Sequence, residues 1–295
     1  MNYILEDTIN GILMGSIYGL TAVGLTIIFG VLKVINFAHG SLLMVGMYVA
    51  YWAVILSGLH PYLALVIVVP VMYLFGYYLQ DMVIKPIFKA EKDVREPITV
   101  IIVTTGVWYI LDNLTLLLFG PDYRSIQNNP LRGKMMQLGD LLISVPKLWG
   151  FGAAVITAVA IYLFLQKTRM GRAIRATSLD RDAASLMGIN QYKVYNVAFG
   201  IGTATAGIAA VTLVPFYNVF PSVGVLFDIK GFIIVVLGGL GSIGGALLGG
   251  IIIGLIESVG PEFMTATWTE AIVYGLFLVV LFVRPSGLFG VKYDW

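Results

Sequence analysis

Long apolar runs are the feature that most constrains how this chain can fold. Eight blocks of predominantly apolar residues follow one another along its 295 residues, at roughly 9–31, 41–57, 61–80, 97–119, 147–166, 193–216, 228–258 and 270–284. A helix of about 20 apolar residues crosses the roughly 30 Å hydrocarbon layer, whereas a membrane β-barrel needs short segments of alternating apolar and polar residues. The runs therefore predict an all-α, polytopic helical membrane protein with about eight spans, built as one transmembrane domain over residues 1–295.

Composition supports the same fold class and narrows the chemistry. Apolar residues make up 59% of the chain and charged residues 12%, against about 45–50% and about 25% in a soluble domain. There is no cysteine, and the two histidines, His39 and His60, do not have a zinc-site spacing. The sequence predicts no metal site, no cofactor and no nucleic-acid partner. A membrane enzyme would need His, Asp and Glu clustered at a membrane surface, and no such cluster stands out.

The basic loops predict how the chain is oriented. Loop 167–193 is strongly basic, and loop 81–96 and the tail after Arg284 also carry positive charge, at Lys85, Lys89, Lys92, Arg95 and Lys292. The positive-inside rule places these three regions in the cytoplasm. Loop 120–146 is then external despite Arg124, Arg132 and Lys134. Near the opposite edge, Lys230, Glu257, Glu262 and Glu270 are predicted to be surface charges. Asp112, inside the fourth block, is predicted to have a structural or interface role.

Block 228–258 does not fit a single span. Its 31 residues would form a helix about 46 Å long, and only a block that enters and returns keeps the acidic loop 259–269 outside and the basic tail inside. Its centre contains Gly238, Gly239, Gly241 and Gly244, and glycines weaken helices and permit tight turns. We therefore predict a broken hairpin; the alternative is one long kinked helix packed through its glycines. Segments 26–48 and 233–255 resemble each other weakly, either as an internal repeat or through shared glycine bias.

The junction of the first two blocks places polar groups between apolar segments. It reads Asn36-Phe37-Ala38-His39-Gly40. Polar groups at membrane depth are costly unless they are paired or face a cavity, and interrupted helices often form transport sites. The predicted substrate pathway comprises Asn36, Phe37, His39, Gly40, Gly238, Gly239, Gly241 and Gly244. His39 lines this pathway, locks the break by hydrogen bonding, or caps the second helix.

Loop 167–193 is predicted to be a docking element for a cytoplasmic partner. Residues 170–176 form a basic amphipathic turn, and a short helix follows from Asp180, with Gly188 as its C-terminal stop. Leu179, Ala183, Leu186 and Met187 fall at helical spacing, and such a helix can fit a partner's groove. The alternative is a solvated basic loop. The docking residues are Gly171, Arg172, Arg175, Asp180, Ala183, Ala184 and Gly188.

Three motifs together resemble the branched-chain amino-acid permease family of ABC importers. They are the loop GRAIRATSLDRDAASLMGI, the junction INFAHG, and the glycine run at 238–250. The resemblance covers nearly the whole chain. It implies a related second permease as heterodimer partner, two cytoplasmic ATPase subunits, a periplasmic solute-binding protein, and a place in the bacterial inner membrane. The chain has no GxxxxGK[ST] loop, so ATP hydrolysis is expected in the partners.

Two other functions remain open from the sequence. The same importer architecture carries other small polar cargo, such as urea, amides or sugars. A self-contained secondary transporter or channel would instead carry ionisable residues deep in several spans. Few such residues are evident, and the docking loop would have no purpose.

Overall fold

The computed structural model describes residues 2–90, 98–126, 131, 133–139 and 141–290. Eight helices within these residues are long and apolar enough to cross a membrane, which confirms the predicted all-α, polytopic fold. The helices are α1 Asn2–Leu32, α2 His39–Ser57, α3 Leu65–Leu79, α4 Lys85–Ala90, α5 Ile98–Phe119, α6 Val145–Lys167, α7 Arg169–Leu179, α8 Arg181–Leu186, α9 Gln191–Leu213, α10 Val223–Gly238, α11 Ile243–Val259 and α12 Ala266–Val283.

Helices α1 and α11 pack antiparallel along a seam of small residues. A Cβ atom added at Gly11 would lie 2.9 Å from the Gly254 carbonyl oxygen, and one added at Gly15 would lie 2.6 Å from that of Gly250. Real Cβ atoms essentially never approach other atoms this closely. The two backbones are therefore in direct contact, which is how small residues drive helix packing in a membrane.

Helix α9 forms the centre of the bundle. It packs against α1, α2 and α3, and most of its side chains are buried. Gly202 lies against Gly24 and Ile28 of α1, while Gly207 lies against Met72 of α3. The short residues of α9 allow three neighbouring helices to approach it at once.

The third apolar block extends further than the predicted 61–80. A 3₁₀ turn at Pro61–Ala64, α3, a π-helical segment at Gln80–Ile84 and α4 follow one another without a gap. Asp81 accepts from Asn196 of α9 at 2.6 Å and pairs with Lys85. The helix continues because this i, i+4 ion pair supports another turn. Lys85 therefore lies on a helix and not in a loop, as does Lys89. Lys92, Arg95, Arg132 and Lys292 lie outside the described residues.

A short β-hairpin lies in the segment between α5 and α6. Strands β1 Met135–Leu138 and β2 Leu141–Ser144 pair antiparallel, with Met135 opposite Ser144. Upstream of it, Arg124 forms a two-way backbone bridge with Val219, with N–O distances of 2.9 and 2.8 Å. The sequence did not predict this hairpin, because its segment shows no strand alternation strong enough to stand out.

Block 228–258 forms the predicted broken hairpin. Helices α10 and α11 are joined by the residues 239–242, which we call the turn. Gly238 lies against Gly245, and a Cβ atom at Gly249 would lie 2.9 Å from the Ile234 carbonyl oxygen. These contacts run in opposite directions along the two helices, so the alternative of one long kinked helix is wrong. At 16 residues, α10 is shorter than the 18 residues of the shortest of the eight candidate spans in the described part of the chain.

Candidate substrate pathway and docking helices

The chain turns back into the bundle after α1. Residues 33–38, which we call the connector, link α1 to α2. Lys33 has a φ of 58°, a left-handed conformation that L-residues rarely adopt. Helix α1 continues to Leu32, but His39 at the start of α2 lies beside Thr21, in the middle of α1. The connector therefore returns from the end of α1 to mid-depth, and α2 begins inside the bundle.

His39 locks the start of α2 to α1. Its side chain is 1% exposed, and Nε2 lies 3.0 Å from the Thr21 carbonyl oxygen. A carbonyl accepts only, so Nε2 carries the proton and donates. The N-cap of α2 is Ala38, with no side-chain cap, so the predicted capping role of His39 is wrong. The geometry favours the locking role over a position on the pathway.

Gly40 lets α2 cross α10 at close range. Its amide nitrogen donates to Asp228 Oδ1 of α10 at 2.6 Å. A Cβ atom at Gly40 would lie 2.7 Å from Asp228 Cγ and would collide with the Gly224 backbone. Only glycine fits this crossing, and the Asp228 carboxyl group accepts from the first turn of α2.

Asn36 and Phe37 of the connector border a cavity, together with Asp228. The cavity has a volume of 340 Å³ and lies between the connector, α5, α10 and α12. Phe37 is 42% exposed, whereas Asn36 is buried. Two of the predicted pathway residues thus share a cavity, with His39 and Gly40 beside it at the start of α2.

The predicted glycines of the turn lie elsewhere. Gly239 and Gly241 have φ values of 104° and 87°, which explains why glycine is needed there. The carbonyl groups of Leu237 and Gly238 accept from Leu288 and Phe289, at 2.8 and 3.1 Å. Ser242 caps α11 by accepting from the Gly245 nitrogen at 3.1 Å. The exposed residue Gly244 has no atom near its added Cβ. The structure therefore does not bring these glycines together with Asn36 and Phe37.

Asp228 is the residue that the sequence reasoning missed. It lies within an apolar block, and an ionisable residue at such a position is by itself a reason to suspect function. This signal is present in the sequence, but the predicted pathway residues were taken from the glycine run that follows it. The nearby Asp112 has partners in its own chain, accepting from Ser41 Oγ at 2.6 Å and from Trp108 Nε1 at 2.7 Å. These bonds give Asp112 a structural role between α5 and α2.

Two of the predicted surface charges are paired inside the helix bundle. Lys230 of α10 and Glu257 of α11 form an ion pair at 2.8 Å, and Lys230 also reaches the Tyr18 hydroxyl of α1 at 3.4 Å. Their side chains are 28% and 18% exposed, so these predicted surface charges are partly exposed and pair with each other where the hairpin packs onto α1. Glu262 and Glu270 are exposed, as predicted.

Loop 167–193 folds into two helices. Residues 170–176, predicted as a turn, belong to the longer helix α7, because Thr168 Oγ1 accepts from the Gly171 nitrogen at 2.9 Å and starts a helix. Gly171 lies directly on the backbone of α6 at Phe164 and Leu165. Any side chain at this position would push α7 away from the bundle.

Helix α8 follows with the predicted start and stop. Asp180 Oδ1 accepts from the nitrogens of Asp182 and Ala183, at 2.9 and 3.0 Å. Gly188 has a φ of 81° and follows the last turn, which is the usual helix stop. Ala184 is buried, whereas Ala183 and Arg172 are exposed and Arg175 is half-buried.

The large apolar side chains of this region face away from the chain. Leu179, Leu186 and Met187 are 75%, 89% and 83% exposed. We call these three residues the apolar patch. Helix α8 is also tied to the bundle, since Arg181 Nη2 donates to the Leu32 carbonyl oxygen at 3.3 Å. The apolar patch is thus linked by one side chain to the end of α1, where the connector begins.

Comparison with known proteins identifies the family. The sequence profile described as "Branched-chain amino acid transport system / permease component" matches residues 8–281. The chain belongs to this permease family. Eight helices of the described residues are long and apolar enough to span a membrane, and the permease is a multi-pass protein of the bacterial inner membrane.

Relatives match the permease over nearly its whole length. The high-affinity branched-chain amino acid transport system permease protein BraD of Pseudomonas aeruginosa is 32% identical, over 98% of this chain and 96% of BraD. The corresponding LivH of Escherichia coli is 30% identical with the same coverage. Among solved structures, the permease is similar to PsaBC from Streptococcus pneumoniae in complex with Fab. The alignment covers 94% of this chain and 91% of the matched chain of PsaBC. It has a TM-score of 0.49 and 14% identity, a likeness too low to inform function.

Proposed function

We propose that this permease is the membrane subunit of an ABC importer for branched-chain amino acids. The observation that carries the proposal is the family match over residues 8–281. Full-length similarity to BraD and LivH supports the cargo. The energy is supplied by ATP hydrolysed in separate subunits, because the chain lacks a phosphate-binding GxxxxGK[ST] loop.

The apolar patch is the surface on which an ATPase subunit docks. Single exposed apolar residues are normal on a protein surface, but a contiguous patch marks an interaction site. Here three large side chains project from two short helices that Gly171 and the Asp180 cap hold in place. The basic residues Arg172 and Arg175 lie on α7, which also carries Leu179, and they would add charge complementarity to an acidic surface of the ATPase.

Docking is transmitted to the connector through Arg181. Its guanidinium contacts the Leu32 carbonyl, one residue before the connector. Gln191 Nε2 in turn donates to the Arg181 carbonyl at 2.6 Å and ties α8 to the start of α9. A displacement of α8 by the ATPase therefore reaches both the connector and the central helix.

The solute path runs beside the connector and is completed by a second, related permease subunit. This chain encloses the cavity on only part of its perimeter. Helices α5 and α12, which contribute to its wall, also expose large apolar side chains such as Leu117 and Phe282. A periplasmic binding protein delivers the cargo from the opposite side of the membrane. The full assembly has two permeases, two ATPases and one binding protein.

A substitution in the apolar patch tests the docking proposal. Leu186→Asp places a charge in the centre of the interface, and we expect the ATPase subunit to be lost on affinity purification of the permease from membranes. Ser185→Asp is the matched control, since Ser185 is exposed on the same helix outside the patch.

Transport is measured in proteoliposomes that contain the complete importer and its binding protein. Wild type and Ser185→Asp are expected to take up leucine, and Leu186→Asp is not. Retained ATPase and full uptake in Leu186→Asp would refute docking at the patch. Uptake of urea, an amide or a sugar in place of leucine by the wild-type importer would refute the cargo and leave the architecture intact.

A further inference from the structure

The cavity beside the connector has polar groups at one side and an apolar wall at the other. Its volume of 340 Å³ lies in the range of about 300–1,000 Å³ that is usual for small-molecule pockets. Asn36 and Asp228 supply the polar groups. Phe37, Ile229, Phe232 and Phe277 supply much of the apolar wall. Such a cavity suits a small molecule that is charged at one end and aliphatic at the other.

Asp228 brings a carboxyl group to the cavity. The ion pairs found within the described residues are Lys85–Asp81 and Lys230–Glu257, so Asp228 is not part of one. Its hydrogen bond from Gly40 and the positive end of α2 stabilise the carboxylate only in part. An acid at membrane depth is costly and is usually kept for a ligand or an ion pathway. A cationic group in the cavity would stabilise the ionised form of this acid.

Asn36 presents a hydrogen-bond donor without an acceptor. Its Oδ1 accepts from the Ala38 nitrogen at 3.1 Å. Since a backbone N–H can only donate, the other amide atom must be the NH₂ group. Nδ2 is buried and has no hydrogen-bond partner, and the whole residue is 3% exposed. An unpaired buried donor is costly, and this one belongs to a residue that lines the cavity. Because Nδ2 itself is buried, an anionic or carbonyl group in the cavity reaches this donor only when the Asn36 side chain turns toward it.

We propose that the cavity is a transient binding site for the zwitterionic amino acid during its passage. The ammonium group pairs with the Asp228 carboxylate, the carboxylate accepts from Asn36 Nδ2, and the aliphatic side chain lies against Ile229, Phe232 and Phe277. This site rests on the proposed function. It extends that function by assigning a role to Asp228 and by defining the orientation of the bound amino acid in the cavity.

One purely structural explanation has to be separated from this one. Asp228 could serve only to hold the first turn of α2 through Gly40. The variant Asp228→Asn separates the two roles, because the amide oxygen still accepts from the Gly40 nitrogen while the negative charge is gone. Asn36→Asp is the complementary variant: it keeps the acceptor for Ala38 and replaces the donor by a carboxylate oxygen.

Binding is measured on the complete transporter, purified with its permease and ATPase partners and reconstituted in nanodiscs without binding protein. Tritiated leucine is the probe, read by scintillation proximity. Wild type is expected to bind it saturably, and Asp228→Asn to lose at least about tenfold in affinity. Removing one partner of a buried charge pair costs more than the about 1.4 kcal/mol that a tenfold change represents. Glu262→Gln removes an exposed acid and is the control that keeps wild-type binding.

Competition with two leucine analogues tests the orientation of leucine in the site. 4-Methylpentanoate lacks the ammonium group, and leucinamide lacks the carboxylate. Wild type is expected to prefer leucine over both. In Asp228→Asn, 4-methylpentanoate competes as well as leucine does. In Asn36→Asp, leucinamide competes better than leucine, because the new carboxylate repels that of the cargo. A merely structural role would not change these preferences.

The outcomes separate the site from the proposed function. Wild-type affinity and unchanged preferences in Asp228→Asn would overturn the site. So would absent leucine binding in a wild-type transporter that imports leucine once its binding protein is added. If Asp228→Asn does not assemble, the preferences of Asn36→Asp decide the matter. Failure of the wild-type importer to take up leucine in proteoliposomes would instead contradict the proposed function.

Discussion

The connector of residues 33–38 and the turn of residues 239–242 interrupt the bundle in different ways. Asn36 Nδ2 of the connector and Nδ1 of His39, the first residue of α2, are buried without partners. The turn has its neighbouring carbonyls paired with Leu288 and Phe289 and its second helix capped by Ser242. The connector carries an L-residue, Lys33, with positive φ, whereas the turn uses glycine at both such positions.

The difference separates two uses of irregular backbone in a membrane protein. Backbone that leaves the helical pattern at membrane depth must be buried in protein or line a cavity. In the turn, Gly239 is buried and Gly241 is exposed, and the broken helix ends are held by the bonds from Leu288 and Phe289 and by the Ser242 cap. The connector lines a cavity and keeps unused polar groups next to it. Judged by glycine content alone, the turn would have been the better candidate for the substrate pathway and the connector the poorer one.

The largest expected effect is a collision within the hairpin. Gly245→Ala would place a methyl group on the Gly238 carbonyl, and neither backbone can yield without separating α10 from α11. We expect a loss of about 1–3 kcal/mol of stability, measured as thermal unfolding of the purified permease complex. Gly244→Ala is the matched control, because an added Cβ there meets no atom within 4 Å. Equal melting of the two variants would mean that the hairpin is loosely packed.

The next effect concerns the connector. His39→Ala removes the donor to the buried Thr21 carbonyl, which should cost about 1–3 kcal/mol of stability. If His39 only locks the break, leucine uptake per assembled importer stays at the wild-type rate. His60→Ala, at an exposed histidine, should alter neither quantity. A fall in uptake with unchanged stability would place His39 on the solute path instead.

The smallest effect contrasts the two left-handed positions. Gly241→Ala has space for its methyl group, so its cost is only the positive φ, about 1–2 kcal/mol. Lys33→Gly relieves a comparable strain but increases the freedom of the unfolded chain, so we expect a net change within about 0.5 kcal/mol. Thermal unfolding of both variants checks the pair. A larger loss in Lys33→Gly than in Gly241→Ala would contradict the strain at the connector.

The length of the apolar runs predicted the spans well because a membrane imposes one length and one polarity on every helix. The broken hairpin was predicted from the charges that flank block 228–258 and from the glycines at its centre. The third block was predicted too short, since the Asp81–Lys85 pair extends the helix past the apolar run. A hydropathy pattern cannot register such a pair, because it counts both residues as loop-forming.

The candidate site was predictable only in part. INFAHG indicated the connector, but not that α2 would begin beside Thr21 and bring Gly40 onto α10. The Gly40–Asp228 hydrogen bond joins residues that are 188 positions apart, and no local pattern encodes such a contact. The role of Asp228 therefore emerged only from the packing of α2 against α10.

The seam between α1 and α11 has a consequence for how the permease is made. Helix α1 is complete at Leu32, whereas α11 begins at Ile243. At typical synthesis rates the first helix waits about 10–40 s for its partner. Until α11 is made, this glycine face lacks the backbone that covers it in the folded permease. In a nascent chain that stalls before α11, the glycine face of α1 would stay uncovered. Membrane quality-control proteases would then be able to recognise the unfinished permease by this face.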